Sequence, residues 1–135
     1  IIAVGKQINP NQSKFMNSTN PHYNIGNTTN YVTFDTDGTY TKIGNFCIAA
    51  GSVTFPNTAD GNHAILGGLP FTSAGGRPGG AIVRYSNDNE AYKISWHVNA
   101  GAASASPYYT DGGGTTANVY LSGRRLDLIF CYRTA

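Results

Sequence analysis

Residues 37–55 read D-G-T-Y-T-K-I-G-N-F-C-I-A-A-G-S-V-T-F, and two turn signals divide this stretch. Asp37-Gly38 suits a type I′ hairpin turn, in which both central residues have positive φ, and Gly44-Asn45 suits type II′, which requires glycine first. The flanking residues are rich in β-branched and aromatic side chains, which favour strands. The stretch therefore predicts three consecutive strands of a meander, at residues 31–36, 39–43 and 46–55.

The third of these strands is apolar on both faces. One face carries Phe46, Ile48 and Ala50, and the other carries Cys47, Ala49, Val53 and Phe55. A strand that is apolar on both sides is covered twice, as in a sandwich of two sheets or at an interface between subunits. The pattern therefore favours an oligomer, which would also cover sheet edges that otherwise invite aggregation.

The whole chain has the composition of an all-β domain. Its 135 residues fit one domain with a sizeable core, charged residues make up only 12 %, and 17 residues are glycine. Apolar residues alternate in short segments between turns, and no segment repeats them with the period of a helix. We predict about eight or nine short antiparallel strands in a β-sandwich, most simply a jelly roll.

Residues 1–30 differ from the rest, because they contain the breaks Asn9-Pro10 and Asn20-Pro21 and little sustained alternation. We interpret them as an irregular lead-in that connects the domain to an upstream partner, or as an arm that wraps the domain or a neighbouring subunit. Residues 31–135 then form the β-sandwich domain. No apolar run approaches the roughly 20 residues of a membrane helix. The net charge of +2 is also too small to indicate nucleic acid, so we expect neither membrane insertion nor nucleic-acid binding.

The two cysteines, Cys47 and Cys131, each fall within a predicted strand among apolar neighbours. Two interpretations stay open for them. They form a pair of buried free thiols, which pack as small apolar side chains. Alternatively, one disulfide links a middle strand to the last strand, which would imply an oxidising compartment.

The sequence contains no group of residues with the spacing of a catalytic or metal site. His22, His63 and His97 lie far apart, and none has a partner at the spacing of metal ligands. Asp88 and Glu90 are neighbours in a polar turn, where solvation explains them better than glycoside hydrolysis does. We therefore predict a protein that is not an enzyme and that needs no cofactor or metal.

Binding is the chemistry that the loops suit better. Sugar sites combine aromatic faces, which stack on apolar patches of the rings, with amides and acids that hold the hydroxyl groups. Two regions supply this mixture, and packing or a plain solvated turn is the competing explanation for each. The first candidate set is Tyr108, Tyr109 and Asp111, and the second is Arg84, Asn87, Asp88, Asn89 and Glu90.

Three short motifs carry a resemblance to a known family. They are Y-T-K-I-G-N at residues 40–45, G-L-P-F at 68–71 and Y-R-T-A at 132–135. In this order they resemble the C-terminal domains of bacteriophage tail fibres and tailspikes, which are common in phages of cyanobacteria and other Gram-negative hosts. The similarity covers about residues 31–135. Independently of it, the first two motifs have structural explanations, because Gly44 suits a II′ turn and Pro70 places Leu69 and Phe71 at a strand edge as apolar plugs.

The resemblance implies a compact β-sandwich tip, usually a homotrimer, that caps a fibre or spike and attaches to host-surface glycans. It implies a virion protein of the phage tail or particle surface, assembled in the host cytoplasm, whose N-terminal segment contacts other virion proteins. Two alternatives stay open. One is a capsid decoration or fibre-adaptor protein with the same fold and no ligand, and the other is a secreted lectin-like carbohydrate-binding domain.

Overall fold

The computed structural model describes residues 14–15, 23–25, 28–30, 33–111 and 114–135, with side chains from residue 38 onward. In this part of the chain, ten strands form one hydrogen-bonded sheet in which every described pairing is antiparallel. The fold is therefore antiparallel all-β, as predicted, while the division into two stacked sheets and the homotrimer stay predictions. The strands are β1 (Lys14–Phe15), β2 (Tyr23–Ile25), β3 (Thr28–Asn30), β4 (Thr33–Ile43), β5 (Phe46–Thr54), β6 (Leu66–Gly67), β7 (Gly79–Ser86), β8 (Ile94–Val98), β9 (Ser104–Tyr109) and β10 (Arg125–Arg133).

The order of the strands shows that the sheet curls. Neighbouring strands follow the order β1-β4-β5-β10-β7-β8-β9-β6-β2-β3. β3 lies at one end of this order and β4 lies second from the other end, yet only residues 31 and 32 connect them. Three Cα–Cα steps span at most about 11 Å, so the two ends of the order come close together and the sheet wraps around its core.

The core lies on the inner face of this curled sheet. β10 pairs with β5 in continuous register from Arg125↔Thr54 to Arg133↔Phe46, so alternate residues of both strands point inward together. The largest fully buried side chains include Trp96, and its ring stacks on that of Phe55 at 6.3 Å between centroids. The other large buried side chains are Val53, Leu66, Leu121, Leu126, Leu128, Phe130 and Tyr132.

One of the two predicted hairpin turns is wrong. β4 runs from Thr33 to Ile43 without interruption, so Asp37-Gly38 lies inside a strand. The register between β4 and β5 shifts twice along this segment, which places extra residues on β4 in bulges. Gly38 is also paired with Phe15 of β1. Strands on both sides of β4 thus hold the Asp-Gly pair extended, and the bulges accommodate the residues that were expected to turn.

The other predicted turn is confirmed. Ile43 pairs with Phe46, which closes a two-residue hairpin between β4 and β5 at Gly44-Asn45. Gly44 has φ of +56°, the left-handed value that the first turn position requires and that favours glycine. The Lys42 ammonium donates a hydrogen bond of 2.7 Å to the Gly44 carbonyl, which further holds the turn.

The three motifs from which the resemblance was argued meet at one corner of the fold. The ring of Tyr40 packs edge-on against Phe71, with 5.0 Å between centroids. The buried Tyr132 hydroxyl donates to the Phe71 carbonyl at 3.1 Å and accepts from the Phe71 N–H at 3.2 Å. The Thr134 N–H donates to the Asn45 carbonyl at 2.8 Å. Residues that are far apart in sequence therefore stabilise one another. Leu69 of the second motif is buried, as predicted.

The structure confirms that both cysteines are free thiols, but it does not bury both of them. Cys47 and Cys131 are free, Cys47 is buried, and Cys131 is exposed. Cys47 pairs with Tyr132 across β5 and β10, and Cys131 pairs with Ile48. Because side chains alternate between the two faces of a sheet, the thiols point to opposite sides. The disulfide is therefore wrong, and burial is correct for Cys47 alone.

Among the described residues, side chains of the third predicted strand are fully buried on one face only. Cys47 and Ala49 of β5 are buried, whereas Phe46 and Ile48 are each 44 % exposed. We call the uncovered side of the sheet the outer face, defined by Phe46, Ile48, Ile82, Ile129 and Cys131. The prediction that a second subunit covers this side stays a prediction.

Three short strands come from the segment at residues 1–30. β1 pairs with β4 at one end of the strand order, and β2 pairs with β3 and β6 at the other end. The described parts of this segment are therefore continuous with the main sheet. The proposed division of the chain at residue 30, and the contacts of the first segment with other proteins, stay predictions.

Candidate functional site

The two consecutive tyrosines of β9 lie on opposite sides of the sheet. The ring of Tyr108 stacks on His97, with 4.4 Å between centroids and 26° between planes. The ring of Tyr109 contacts Tyr120 edge-on, with 5.1 Å between centroids and 85° between planes. Their separation follows from the alternation of side chains along a strand. The first predicted set of ligand residues is thus divided between two different clefts.

Tyr109 lies in an open cleft of about 500 Å³, which we call the Tyr109 cleft. The loop after β7 forms one part of it, and the 3-10 helix Asn118–Leu121 with the turn that follows forms another. The lining residues are Asn87, Asp88, Tyr109, Val119, Tyr120, Ser122, Gly123 and Arg124. Tyr109 of the first predicted set therefore joins Asn87 and Asp88 of the second.

Asp88 holds the local structure on one side of this cleft. Its Oδ1 accepts a hydrogen bond of 2.9 Å from the Glu90 N–H, which caps the 3-10 helix Asn89–Lys93. Its Oδ2 lies 3.1 Å from Nη2 of Arg124. The Asp88 N–H in turn donates to the Ser86 hydroxyl at 3.1 Å. These contacts fix the position of the carboxylate and leave it partly exposed to the cleft.

Arg124 joins the acid to the aromatic side of the cleft. Its guanidinium lies 4.3 Å from the centroid of the Tyr120 ring, which is a cation–π contact. The Tyr120 hydroxyl donates to the Glu90 carbonyl at 3.0 Å, so the ring is also held at its far end. The Arg124 side chain is only 17 % exposed. The planar guanidinium is therefore a rigid part of the cleft wall.

Asn87 supplies a directed amide. Its Oδ1 accepts a hydrogen bond of 3.1 Å from the Arg125 N–H, and the residue is otherwise exposed. Because the oxygen is engaged, the amide NH₂ group is oriented away from the backbone of β10 and donates to no described residue. The cleft thus combines a donor, an acceptor and two aromatic rings within one concave surface.

Four other predicted residues lie outside the lining of this cleft. Arg84 is the extra residue of a bulge on β7, and its Nη1 lies 3.6 Å from Asp127 Oδ2 on the outer side of the sheet. Glu90 binds Lys93 at 2.9 and 3.0 Å, and this contact raises the pKa of the Lys93 ammonium. Asn89 and Asp111 are exposed. Of the second predicted set, only Asn87 and Asp88 line the Tyr109 cleft.

Sequence reasoning missed Tyr120 and Arg124, which complete the cleft. Tyr120 lies in a short 3-10 helix, so no alternation of apolar residues marks it. Arg124 follows Ser122-Gly123, and Gly123 has φ of +67°, which is typical of a turn. An aromatic residue followed by a glycine turn and an arginine was the available signal, but only the fold brings this turn to the loop at residues 86–90.

Comparisons of the chain with models of protein families, with curated proteins and with solved structures find no match in any of the three. Among the described residues, no helix is long and apolar enough to cross a membrane. The same residues contain no cluster of three or more His, Cys, Asp or Glu side chains that could hold a metal ion. Arguments about function therefore depend on the chemistry of the clefts and on the motifs.

Proposed function

We propose that this chain is the receptor-binding tip domain of a bacteriophage tail fibre or tailspike, and that the Tyr109 cleft holds a saccharide of the host surface. The observation that carries the proposal is the grouping of Tyr109 and Tyr120 with Asn87 and Asp88 in one open cleft. Aromatic rings suit the apolar faces of sugar rings, and the amide and carboxylate suit their hydroxyl groups.

The electrostatics of the Tyr109 cleft favour an uncharged saccharide. Its one lining acid, Asp88, is paired with its one lining arginine, Arg124, at 3.1 Å. An ion pair of this kind has no net charge to attract an ionic ligand, but both partners retain hydrogen-bonding capacity toward hydroxyl groups. A neutral, hydroxyl-rich ligand therefore fits better than an acidic or basic one.

The motif segments support the proposed family through the fold. The residues that resemble tail fibre and tailspike domains pack against one another through Tyr40, Phe71 and Tyr132. Motifs whose residues pack against one another stabilise the architecture of the domain. The choice of ligand then depends on loops elsewhere. The resemblance thus supports the domain type, and the cleft supports the ligand class.

Binding to a glycan array tests the ligand part of this proposal. The wild-type protein is applied to an array of bacterial surface polysaccharides and neutral oligosaccharides, beside Tyr109→Ala and Asn87→Asp. Asn87→Asp keeps the acceptor for the Arg125 N–H, removes the amide donor and adds a negative charge. We expect each substitution to weaken binding about tenfold or more, which is the loss of one good contact.

Tyr85→Ala is the matched control, because Tyr85 is 43 % exposed and lies outside the Tyr109 cleft. Its thermal unfolding and that of the other variants are recorded to show that each is folded. Equal binding by Tyr85→Ala and Tyr109→Ala would contradict the assignment of the cleft, as would an array without any bound glycan.

The outer face favours a second candidate function, a structural virion module that associates with copies of itself. Ile129 pairs with Ala50 on one side and with Ile82 on the other, which makes one row across three strands. Ile48 and Cys131 form the next row. Ile82 is 65 % exposed, and Ala50 and Ile129 are partly exposed, so the described residues leave this row accessible. An exposed apolar sheet face of this kind is typical of an interface.

Self-association is tested by analytical ultracentrifugation of wild-type protein and Ile82→Asp. If copies of this chain cover the outer face, the wild type sediments as an oligomer, three chains for a trimer, and Ile82→Asp sediments as a monomer. Val119→Asp is the control, because Val119 is 46 % exposed and lies away from this face. A monomeric wild type at tens of micromolar would exclude this role.

Antibody labelling of intact particles in electron microscopy distinguishes the two virion functions. A tip domain labels the ends of tail fibres or spikes. Labelling spread over the capsid would overturn the tip assignment and favour a decoration protein.

A further inference from the structure

A second cleft lies on the other side of β9, beneath Tyr108. It encloses about 560 Å³, and Arg77, His97, Asn99 and Tyr108 are among its lining residues. We call it the His97 cleft. It shares no lining residue with the Tyr109 cleft, so a ligand in one does not touch the other.

The floor of the His97 cleft is a stack of two rings. Tyr108 and His97 are nearly parallel, with 4.4 Å between their centroids. Tyr108 also lies 5.9 Å from the ring of His63, between centroids. The Ser95 hydroxyl lies 3.2 Å from Nε2 of His97, which helps to orient the imidazole. These contacts give a fixed aromatic surface against which the face of a sugar ring packs well.

Arg77 is presented beside this floor by a short loop that is tied at both ends. The Ala74 N–H donates to the Arg133 carbonyl, and the Arg133 N–H donates to the Pro78 carbonyl, both at 2.9 Å. Gly79 follows immediately, and a Cβ there would overlap the carbonyl oxygen of Cys131. The loop is thus drawn tightly against β10. Arg77 projects from it into solvent and makes no ion pair with any described residue.

The charges of the two clefts differ in a way that selects different ligands. No Asp or Glu occurs among the residues that line the His97 cleft, so nothing there neutralises Arg77. In the Tyr109 cleft, by contrast, Arg124 is already paired with Asp88. An anion would meet an unpaired guanidinium in the first cleft and a carboxylate in the second.

We propose that the His97 cleft binds an acidic sugar, with its carboxylate on Arg77 and its ring on the Tyr108–His97 stack. A planar guanidinium binds a carboxylate through two parallel hydrogen bonds, which fixes the orientation of the ligand as well as its charge. Asn99 also lines the cleft, with its Nδ2 donating to the Ser104 hydroxyl at 2.9 Å and its Oδ1 accepting from the Ser106 hydroxyl at 3.0 Å. The second N–H of this fixed amide is the group that can donate to a ligand hydroxyl. This inference goes beyond the Tyr109 cleft, because it assigns a different site and a different ligand, and each can hold without the other.

The test uses methyl β-D-glucuronide as the acidic probe and methyl β-D-glucoside as its neutral counterpart. Each is titrated into the full chain, and binding is followed by the NMR signals of the Arg77 side-chain N–H and of the His97 and Tyr108 rings. We expect the glucuronide to shift these signals in a saturable way and the glucoside to bind about tenfold or more weakly at this site. Sodium sulfate is titrated as a third ligand. It should shift the Arg77 side-chain N–H signal without a saturable shift of the Tyr108 ring signals.

Arg77→Gln is expected to reduce glucuronide affinity about tenfold or more while leaving glucoside binding unchanged. Arg77 is exposed at a loop tip, so this variant folds like the wild type. Arg84→Gln is the control, because it removes another exposed arginine that does not line the cleft. Equal affinity of Arg77→Gln and wild type, glucuronide shifts confined to the Tyr109 cleft, or equal effects of sulfate and glucuronide would each overturn the proposal. Failure of Tyr109→Ala to affect glycan-array binding would leave it standing.

Discussion

Cys47 and Cys131 lie one step apart in register on neighbouring strands and point to opposite faces of the sheet. Cys47 pairs with Tyr132 and is fully buried, whereas Cys131 pairs with Ile48 and is exposed. The separation is a consequence of the strand period, since a shift of one residue reverses the face on which a side chain lies. The two thiols therefore differ in chemistry although they are close in space.

We expect a thiol reagent to modify Cys131 in the folded protein and Cys47 only after unfolding. Burial raises the pKa of the Cys47 thiol, which lowers its fraction of reactive thiolate in addition to blocking access. A colorimetric thiol assay of the folded chain should thus find one rapid thiol, and the same assay in denaturant should find two. No prior reduction should be needed.

Cys131→Ser and Cys47→Ser separate the two signals, and the rapid reaction should disappear only in the first variant. Because Cys131 lies on the outer face, association of copies through that face would protect it. The assay is therefore repeated on Ile82→Asp, in which the outer face is expected to be free. Rapid modification of Cys47 in folded protein would contradict the packing described for β5.

Gly80→Ala is expected to destabilise the protein by about 1–3 kcal/mol, which is typical of overpacking. A Cβ at residue 80 would overlap the carbonyl oxygen of Trp96 on β8. Gly80 pairs with His97 at this point, so β7 and β8 would have to separate beside the His97 cleft. The free energy of unfolding is measured by chemical denaturation.

Gly75→Ala is the matched control for this substitution. Residue 75 also belongs to the glycine-rich segment before β7, but a Cβ there meets nothing within 4 Å. Its unfolding free energy should stay within about 0.5 kcal/mol of the wild type, or rise slightly because alanine restricts the unfolded chain. Equal losses in the two variants would show that the close approach of β7 and β8 is not what requires glycine.

The sequence predicted the strands best where side chains alternate without a break. β5 spans Phe46–Thr54, within one residue of the predicted strand at 46–55, and the Gly44-Asn45 turn is present. Asp37-Gly38 misled, because the same dipeptide that suits a hairpin turn also fits a bulge when strands pair on both sides of it. A local turn signal carries no information about such neighbours, since β1 comes from a distant part of the chain.

The candidate sites were less predictable, for a related reason. Tyr108 and Tyr109 were grouped because they are adjacent in sequence, but strand alternation sends them into separate clefts. Arg124 and Asp88 are brought within 3.1 Å by the pairing of β10 with β7. A cleft between loops depends on which strands are neighbours, and sequence patterns do not determine that order.

Arg124→Lys is expected to destabilise the Tyr109 cleft although it keeps the positive charge. The guanidinium stacks on Tyr120 and contacts Asp88 at the same time, and a lysine ammonium cannot reproduce this planar geometry. We expect a loss of about 1 kcal/mol in unfolding free energy, as for a partly desolvated cation–π contact. Arg84→Lys is the control, because the Arg84 side chain is 68 % exposed and its contact with Asp127 is 3.6 Å long. Similar losses in the two variants would contradict a special role for the Arg124 stack.

Tyr132→Phe is expected to destabilise the protein at neutral pH, and the difference from wild type should shrink as the pH rises above 10. The Tyr132 hydroxyl satisfies both the N–H and the carbonyl of Phe71, and removing it leaves these groups unpaired, at a cost of about 1–3 kcal/mol.

Burial raises the pKa of this phenol well above its ordinary value. In the unfolded chain a tyrosine ionises with a pKa of about 10. At that pH the folded chain still holds the Tyr132 proton. The unfolded state therefore binds fewer protons above this pH, and wild-type stability falls by up to about 1.4 kcal/mol per pH unit from this residue alone. Denaturation curves of both proteins between neutral pH and pH values above 10 measure the effect, with the other tyrosines common to both. A constant difference across that range would show that Tyr132 ionises normally in the folded protein.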